Sequence, residues 1–422
     1  MYSQSLVLSL FIIFVSFGLC FGSYLQETNH QHYNERMMKK AHHRSITPSR
    51  SQNTVNVKNY GAIANDGRVD NEAFEKAWDK ACSEGATLVV PENSVYHLKP
   101  IIFSGPCQPK TAFKIYGTIK AWPKRSAYGE DTRLWIKFDN LTNFKVDGGG
   151  TINGNGKIWW KNSCKVNESL PCIGAPTAVT FSDCNNLKVV NLRFKNAQQM
   201  HVVIQSCNNV LASKLIVRAP GHSPNTDGIH VTHSQNVVIS NCIIGTGDDC
   251  ISIVSGSKNI RATDIICGPG HGISIGSLGK GNSEAEVTNV EVNRATLKGT
   301  TNGVRIKTWQ GGSGYAKNIK FHNIVMRNVT NPIIIDQNYC DQKEECQEKD
   351  SAVQVSNILY QNIKGTSASE VAIKLECSKA IPCKGIHLQD VILTPEDNDH
   401  TIAKCDNVRY SHSGMLNPKC HP

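Results

Sequence analysis

From Asn186 to Gly385 the chain keeps returning to one short pattern, an Asn or Gly followed by alternating apolar residues. The pattern starts at Asn186, Asn209, Asn236, Asn259, Asn289, Asn318, Asn357 and Gly385, with an earlier relative at Asn143. Successive starts from Asn186 lie 23, 27, 23, 30, 29, 39 and 28 residues apart, which is the rhythm of a solenoid. The units carry strand alternation and turn residues without a helical period. That excludes tetratricopeptide and ankyrin repeats, and the period is too short for propeller blades. Coils of parallel strands satisfy the pattern, because alternate residues point inward to one apolar core while each strand pairs with the coils above and below. Hairpin signals of the Asn-Gly type are too few for the competing antiparallel sandwich. The expectation is an all-β, single-domain parallel β-helix over residues 54–422.

A solenoid exposes its core at the terminal coil unless something covers it. One segment near the start suits that role. Asp70 is placed as an N-cap, Phe74, Ala77, Trp78 and Ala81 share one face at spacings of three and four, and Gly85 follows. This predicts an N-terminal capping helix, after a strand at Val55–Tyr60 and a turn at Asn65-Asp66-Gly67. Further upstream, residues 1–23 hold the 16-residue apolar stretch Leu6–Phe21 and have the form of a secretory signal peptide. About 20 apolar residues are needed to cross a bilayer, so no membrane span is expected. Residues 24–53 are polar and rich in His, Ser and Arg, which reads as a pro-segment or disordered arm.

Sixteen cysteines suit an oxidising, secretory route, and with Cys20 in the signal fifteen remain, so at least one thiol stays unpaired. The near pairs Cys340/Cys346, Cys377/Cys383, Cys405/Cys420, Cys164/Cys172 and Cys250/Cys267 are candidates to staple loops. Irregular spacing without a Cys-x-x-Cys pair speaks against zinc. Glycosylation sequons at Asn140, Asn167 and Asn328 agree with secretion. The net charge of +10 points to an anionic partner: a nucleic acid, an acidic membrane surface or an acidic polysaccharide. Secretion and the lack of a nucleic-acid-binding motif disfavour the first.

Four short segments interrupt the repeats: Asn225-Thr-Asp227, Gly247-Asp-Asp249, Gly270-His-Gly272 and Arg305-Ile-Lys307. Asp227, Asp249 and His271 are each 22 residues apart, close to one coil, so they should stack in a column on the outside of the solenoid. Asp248 joins them only if the backbone bends, and Gly247 makes that bend plausible. Arg305 and Lys307, two apart, share a strand face and place two cations nearby. Taken singly, Asp-Gly pairs make turns and Arg-x-Lys is a solvated face. It is their registration that argues for a site. Glycosidic hydrolysis needs one carboxylic acid to protonate the leaving oxygen and a carboxylate to activate water, and crowding separates their pKa values. Arg305 and Lys307 suit the carboxylates of an acidic sugar chain. Nothing resembles an EF-hand loop or a His-Glu-x-x-His metal site.

In that order and spacing the four segments resemble the signature motifs of polygalacturonases, glycoside hydrolase family 28, from about Val55 to the C-terminus. Ser104-Gly-Pro-Cys107, Trp159-Trp160, Ile275-Gly-Ser-Leu-Gly279 and Tyr339-Cys340 resemble its plant branch. The resemblance implies a right-handed β-helix and an inverting hydrolase of the α-1,4 bonds of pectin, with no cofactor and no metal. It implies Asp248 as general acid, Asp227 and Asp249 holding and deprotonating water, and His271 tuning the acid. It also implies Arg305, Lys307 and Tyr339 as substrate contacts and Asn225 as orienting the cluster. The expected partner is polygalacturonate, with no nucleic acid and no membrane, and the enzyme is expected to be a secreted, extracellular, endo-acting monomer of the cell wall. The alternatives are exo action, a rhamnogalacturonan or xylogalacturonan hydrolase, a lyase, and a non-catalytic polysaccharide-binding solenoid.

Overall fold

Asparagine is the residue that turns the corners of this molecule. Asn186, Asn209, Asn236, Asn259, Asn289, Asn318 and Asn357 all sit in the left-handed region, with φ between 54° and 58°. Few side chains other than Asn, Asp and Gly tolerate that conformation. The motif Asn therefore lies within a strand at a bend. In the strand Ser257–Cys267, Asn259 and Asp264 (φ 58° and 57°) both bend the chain, and the inward alternation resumes after each. The side-chain amides of successive coils also form a ladder: Asn259 donates to Asn236 at 3.0 Å, Asn289 to Asn259 at 3.0 Å, Asn318 to Asn289 at 3.2 Å and Asn357 to Asn318 at 3.2 Å.

The structure is a computed structural model that describes residues 53–129, 133–342, 344, 346–397 and 400–420. The expected signal peptide (1–23) and all but the last residue of the polar arm (24–53) lie outside the described residues. The strands form one sheet of 18 and one of 11, and neighbouring strands in each run parallel. This is a right-handed parallel β-helix, the hand that parallel crossovers take. No helix of the described residues is long and apolar enough to cross a membrane.

One inward column shows how the core is made. Phe103, Phe138 and Phe181 stack in register, with ring centroids 5.2 and 5.1 Å apart. The same column continues through Ile204, Val231, Ile253, Ile275, Ile306 and Ile335, each no more than 1% exposed. Each such side chain contributes about 1.5–3 kcal/mol by burial. The capping helix runs over Asn71–Glu84 and buries the expected face of Phe74, Ala77, Trp78 and Ala81. Trp78 packs on Phe103 and Phe144 and donates from Nε1 to the Ser104 carbonyl at 3.1 Å. Asp70 stands at the N-cap position, yet its side chain does not cap. Its carboxylate accepts instead from the Ile63 and His97 amides, tying the helix to two neighbouring segments.

All five expected cysteine pairs are disulfides. A sixth, Cys82–Cys107, joins the helix to the loop after the strand Ile101–Ser104. Its 25-residue separation hid it from a search for near pairs. Cys184, Cys207 and Cys242 are free and buried in the core.

Candidate active site

The strands Ile229–Thr232, Ile251–Ile253, Ile273–Leu278 and Asn302–Thr308 are consecutive rungs of the 11-stranded sheet. Ile229, Ile251 and Ile273 are partners. Two residues before each stand Asp227, Asp249 and His271, so the expected column exists. Backbone bonds extend the register to it, Gly228 N–H to the Asp249 carbonyl at 2.9 Å and Cys250 N–H to the Gly272 carbonyl at 2.8 Å. One residue after each isoleucine a second column runs through His230, Ser252, Ser274 and Arg305.

The two columns interlock. Ser252 Oγ donates to Asp227 Oδ2 at 2.7 Å, and Ser274 Oγ donates to Asp249 Oδ1 at 2.7 Å. Each serine has a single proton, so its other partner must donate to it. For Ser252 that partner is His230 Nδ1 at 2.8 Å, and for Ser274 it is Arg305 Nε at 3.1 Å. Arg305 also reaches Asp249 Oδ1 directly at 2.9 Å, and Lys307 Nζ meets Asp249 Oδ2 at 3.0 Å. Asp249 thus lies between two fixed cations while only 2% exposed. Asp227 is also buried but has only an imidazole 3.9 Å away. Burial pushes the Asp227 carboxyl above its ordinary 3.8, against the pull of the His230 imidazole and with help from the Asp248 and Asp249 charges.

Asp248 enters by the expected bend. A side chain at Gly247 would lie 2.0 Å from the Ser223 carbonyl oxygen, so only glycine lets the chain pass. Asp248 then accepts from His271 Nδ1 at 3.1 Å, from the Asp249 amide at 2.8 Å and from Asn225 Nδ2 at 3.3 Å. Burial works to raise its carboxyl, but the His271 hydrogen bond and the His271 and Lys307 charges outweigh it and hold Asp248 below 3.8. In return the Asp248 hydrogen bond raises His271 above 6.5 despite partial burial. His271 stacks over Asp249 but bonds to Asp248.

Tyr339 packs edge-on to Trp309, with Lys307 Nζ 5.3 Å from its ring, and burial pushes its phenol up to about 12, so it remains a donor. These groups line an open groove of about 450 Å³. At its mouth Lys165 and Asp341 form an ion pair of 2.6 Å between two disulfide-closed loops, Cys164–Cys172 and Cys340–Cys346. Asp248, Asp249 and His271 bring ligand-type atoms within 4.8 Å of one another. Both Asp249 oxygens are already held by Arg305, Ser274 and Lys307, so a metal ion would enter against two fixed positive charges.

The candidate site residues Asn225, Asp227, Asp248, Asp249, His271, Arg305, Lys307 and Tyr339 all line this groove. Arg305 and Lys307 are the difference: both turn onto Asp249 instead of standing free. Ser252, Ser274 and His230 escaped the sequence reading. Their signal was present, since Asp227-Gly-Ile-His230, Asp249-Cys-Ile-Ser252 and His271-Gly-Ile-Ser274 repeat one spacing.

A solenoid that gathers three carboxylates in an outer groove offers the pair of acids that glycosidic hydrolysis needs. Residues 82–414 match Glycosyl hydrolases family 28, and the chain belongs to that family. It is a glycoside hydrolase. Polygalacturonase QRT2 of Arabidopsis thaliana is 53% identical, with 100% of each chain covered. Polygalacturonase-2 of Solanum lycopersicum is 57% identical over 87% of this chain and 80% of its own. Among solved structures, the fold is shared with the endo-xylogalacturonan hydrolase from Aspergillus tubingensis (TM-score 0.73, 23% identity, 86% of this chain and 100% of that one). It is shared equally with the polygalacturonase from Erwinia carotovora (TM-score 0.72, 24% identity, 87% and 99%).

Proposed function

We propose that this glycoside hydrolase cleaves the α-1,4 bonds of polygalacturonan, endo-fashion and with inversion, as a secreted enzyme of the cell wall. The observation that carries the reading is three carboxylates, an imidazole and two cations converging in one open groove. The high identity to relatives named polygalacturonases supports the same substrate class.

Asp248 is the general acid. In the free groove its proton rests on His271. A uronate carboxylate bound closer to Asp248 than to His271 raises the carboxyl more than the imidazole and so draws the proton across the 3.1 Å hydrogen bond. Asp248 then protonates the glycosidic oxygen as the bond to the anomeric carbon breaks. Water held between Asp227 and Asp249 attacks from the opposite face and gives its proton to a carboxylate. Asp227, with its raised pKa, is the stronger base, while Asp249, clamped by Arg305 and Lys307, fixes the water. Arg305 spends two of its five N–H donors inside the site, leaving three for a substrate carboxylate. Tyr339 offers its phenol to the sugar, and Asn225 steadies Asp248.

Product analysis on polygalacturonate tests this reading. New reducing ends in a ladder of oligomers are expected. Monomer alone would mean exo action, preference for a rhamnose- or xylose-bearing backbone would move the substrate, and an unsaturated, ultraviolet-absorbing product would replace the hydrolase by a lyase. Secretion is supported by the six disulfides and by the exposure of Asn140, Asn167 and Asn328. A mass decrease on enzymatic removal of N-glycans is the expected check.

A further inference from the structure

A second concavity is larger than the catalytic groove. It is a trough of about 850 Å³ on the 18-stranded sheet, running along the solenoid axis beside the Asn ladder. Two outward columns flank that ladder. Arg261, Glu291, Lys320, Leu359 and His387 follow in register on the trough side and line it, and Lys258, Thr288, Lys317, Ser356 and Lys384 follow in register on the other side of the ladder, outside the trough's lining. The charges fall on alternate rungs. Lys258-Asn-Ile-Arg261 and Lys317-Asn-Ile-Lys320 each place a basic pair astride the ladder, and Lys384-Gly-Ile-His387 adds a lysine one rung past its last Asn, with His387 hydrogen-bonded to Ser411 and Ser413, while Thr288/Glu291 and Ser356/Leu359 between them place no such pair.

Rungs are spaced by about 4.8 Å, so these basic positions recur about every 10 Å in a straight line. Lys258, Arg261, Lys320 and Lys384 are exposed, and Lys317 and His387 are half-buried. The one acid in these two columns, Glu291, is already paired with Arg261 and His322, each at 2.9 Å. The floor between the pairs is a row of asparagine amides, each spending one N–H on the ladder and leaving a second for a hydroxyl or carboxylate. Fixed positive charge at a regular interval, with amide donors between, is complementary to an extended polymer bearing carboxylates and hydroxyls at its own regular interval.

We propose that this trough, together with the Asn ladder and the lysine column beyond it, is a second, non-catalytic binding site for an acidic polysaccharide chain laid along the solenoid axis. It rests on the reading of the chain as a pectin hydrolase and adds an anchor that holds the enzyme on its polymer. The anchor lies on a different sheet from the catalytic groove.

The test uses the full chain carrying Asp248→Asn to halt hydrolysis, with a short oligogalacturonide present to fill the catalytic groove. Retention on immobilised polygalacturonate is then compared for Lys258→Glu/Lys320→Glu/Lys384→Glu and for a control, Lys58→Glu/Lys364→Glu/Lys404→Glu. The control reverses the same number of exposed lysines outside the two columns. The trough variant is expected to lose affinity about tenfold or more, with a reduced salt dependence, as fewer counterions are released. The control should stay within about twofold, since distant exposed charges are screened. With Asp248 restored, turnover of short oligomers by both variants should equal the unsubstituted chain's. Equal losses in the two variants would reduce the effect to net charge and overturn the proposal, as would unchanged retention of the trough variant. A loss seen with double-stranded DNA but not with polygalacturonate would assign the trough to another polyanion. Failure of the unsubstituted chain to hydrolyse polygalacturonate would overturn the functional reading while leaving the retention result to judge the trough.

Discussion

Asp227 and Asp249 stand one coil apart at the same height of the same sheet, and each is held by a serine from the next rung. Behind Ser274 is a guanidinium with a lysine beside it, and behind Ser252 is an imidazole. The repeat fixes where each carboxylate goes, and the serine's other partner, Arg305 one rung beyond Ser274 and His230 one rung before Ser252, decides what charge it meets. One backbone device thus produces a clamped anion at Asp249 and a carboxylate of raised proton affinity at Asp227.

Substituting the two aspartates separates these environments most strongly. Each of Asp227→Asn and Asp249→Asn should lower kcat on polygalacturonate by about 10²–10⁴. Their stabilities should diverge. Asp249→Asn leaves Arg305 and Lys307 buried against an amide and should cost about 3–5 kcal/mol in urea unfolding. Asp227→Asn removes a burial-strained carboxyl and should be close to neutral.

The serines come next. Ser252→Ala deprives Asp227 of its 2.7 Å side-chain donor, a charge-assisted bond of about 1.5–3 kcal/mol, and should slow turnover on the order of 10–100-fold. Ser274→Ala leaves Arg305 and Lys307 on Asp249 and should cost distinctly less. Equal losses would dissolve the contrast.

The smallest effects are in pH dependence. His271 is raised above 6.5 by Asp248, so its contribution is complete below 6.5 and is lost as pH climbs through the raised value. His271→Gln should flatten that limb of a stability profile. Asp227 runs with the same sign in a more acidic window, since a raised carboxyl favours the fold while protonated and withdraws that support as pH climbs from 3.8 through its raised value. Asp227→Asn should remove that slope. Asp248 has the opposite sign, stabilising above the ordinary carboxylate range and failing as pH falls through its lowered value.

The solenoid was legible because the Asn bends recur and alternate residues face inward, and the 22-residue intervals located the Asp227–Asp249–His271 column. Side-chain partners were harder to read. Register puts His271 over Asp249, but the bend at Gly247 swings Asp248 under the imidazole, and no spacing reports that. Arg305 and Lys307 were legible as nearby cations, yet burial beside Asp249 decides whom they pair with. Ser252 and Ser274 were passed over because a serine in a strand carries no charge to draw attention. The basic pairs astride the Asn ladder were visible only as net charge until the register aligned them.

The central claim is that environment divides the labour, with Asp248 delivering the proton and Asp227 receiving one. An aryl oligogalacturonide with an activated leaving group needs no acid. Initial rates of Asp248→Asn and Asp227→Asn on that substrate and on polygalacturonate therefore test the claim directly. The account predicts that Asp248→Asn recovers most of its lost rate on the aryl substrate while Asp227→Asn remains slow. Recovery by Asp227→Asn, with Asp248→Asn still impaired, would contradict it and exchange the two roles.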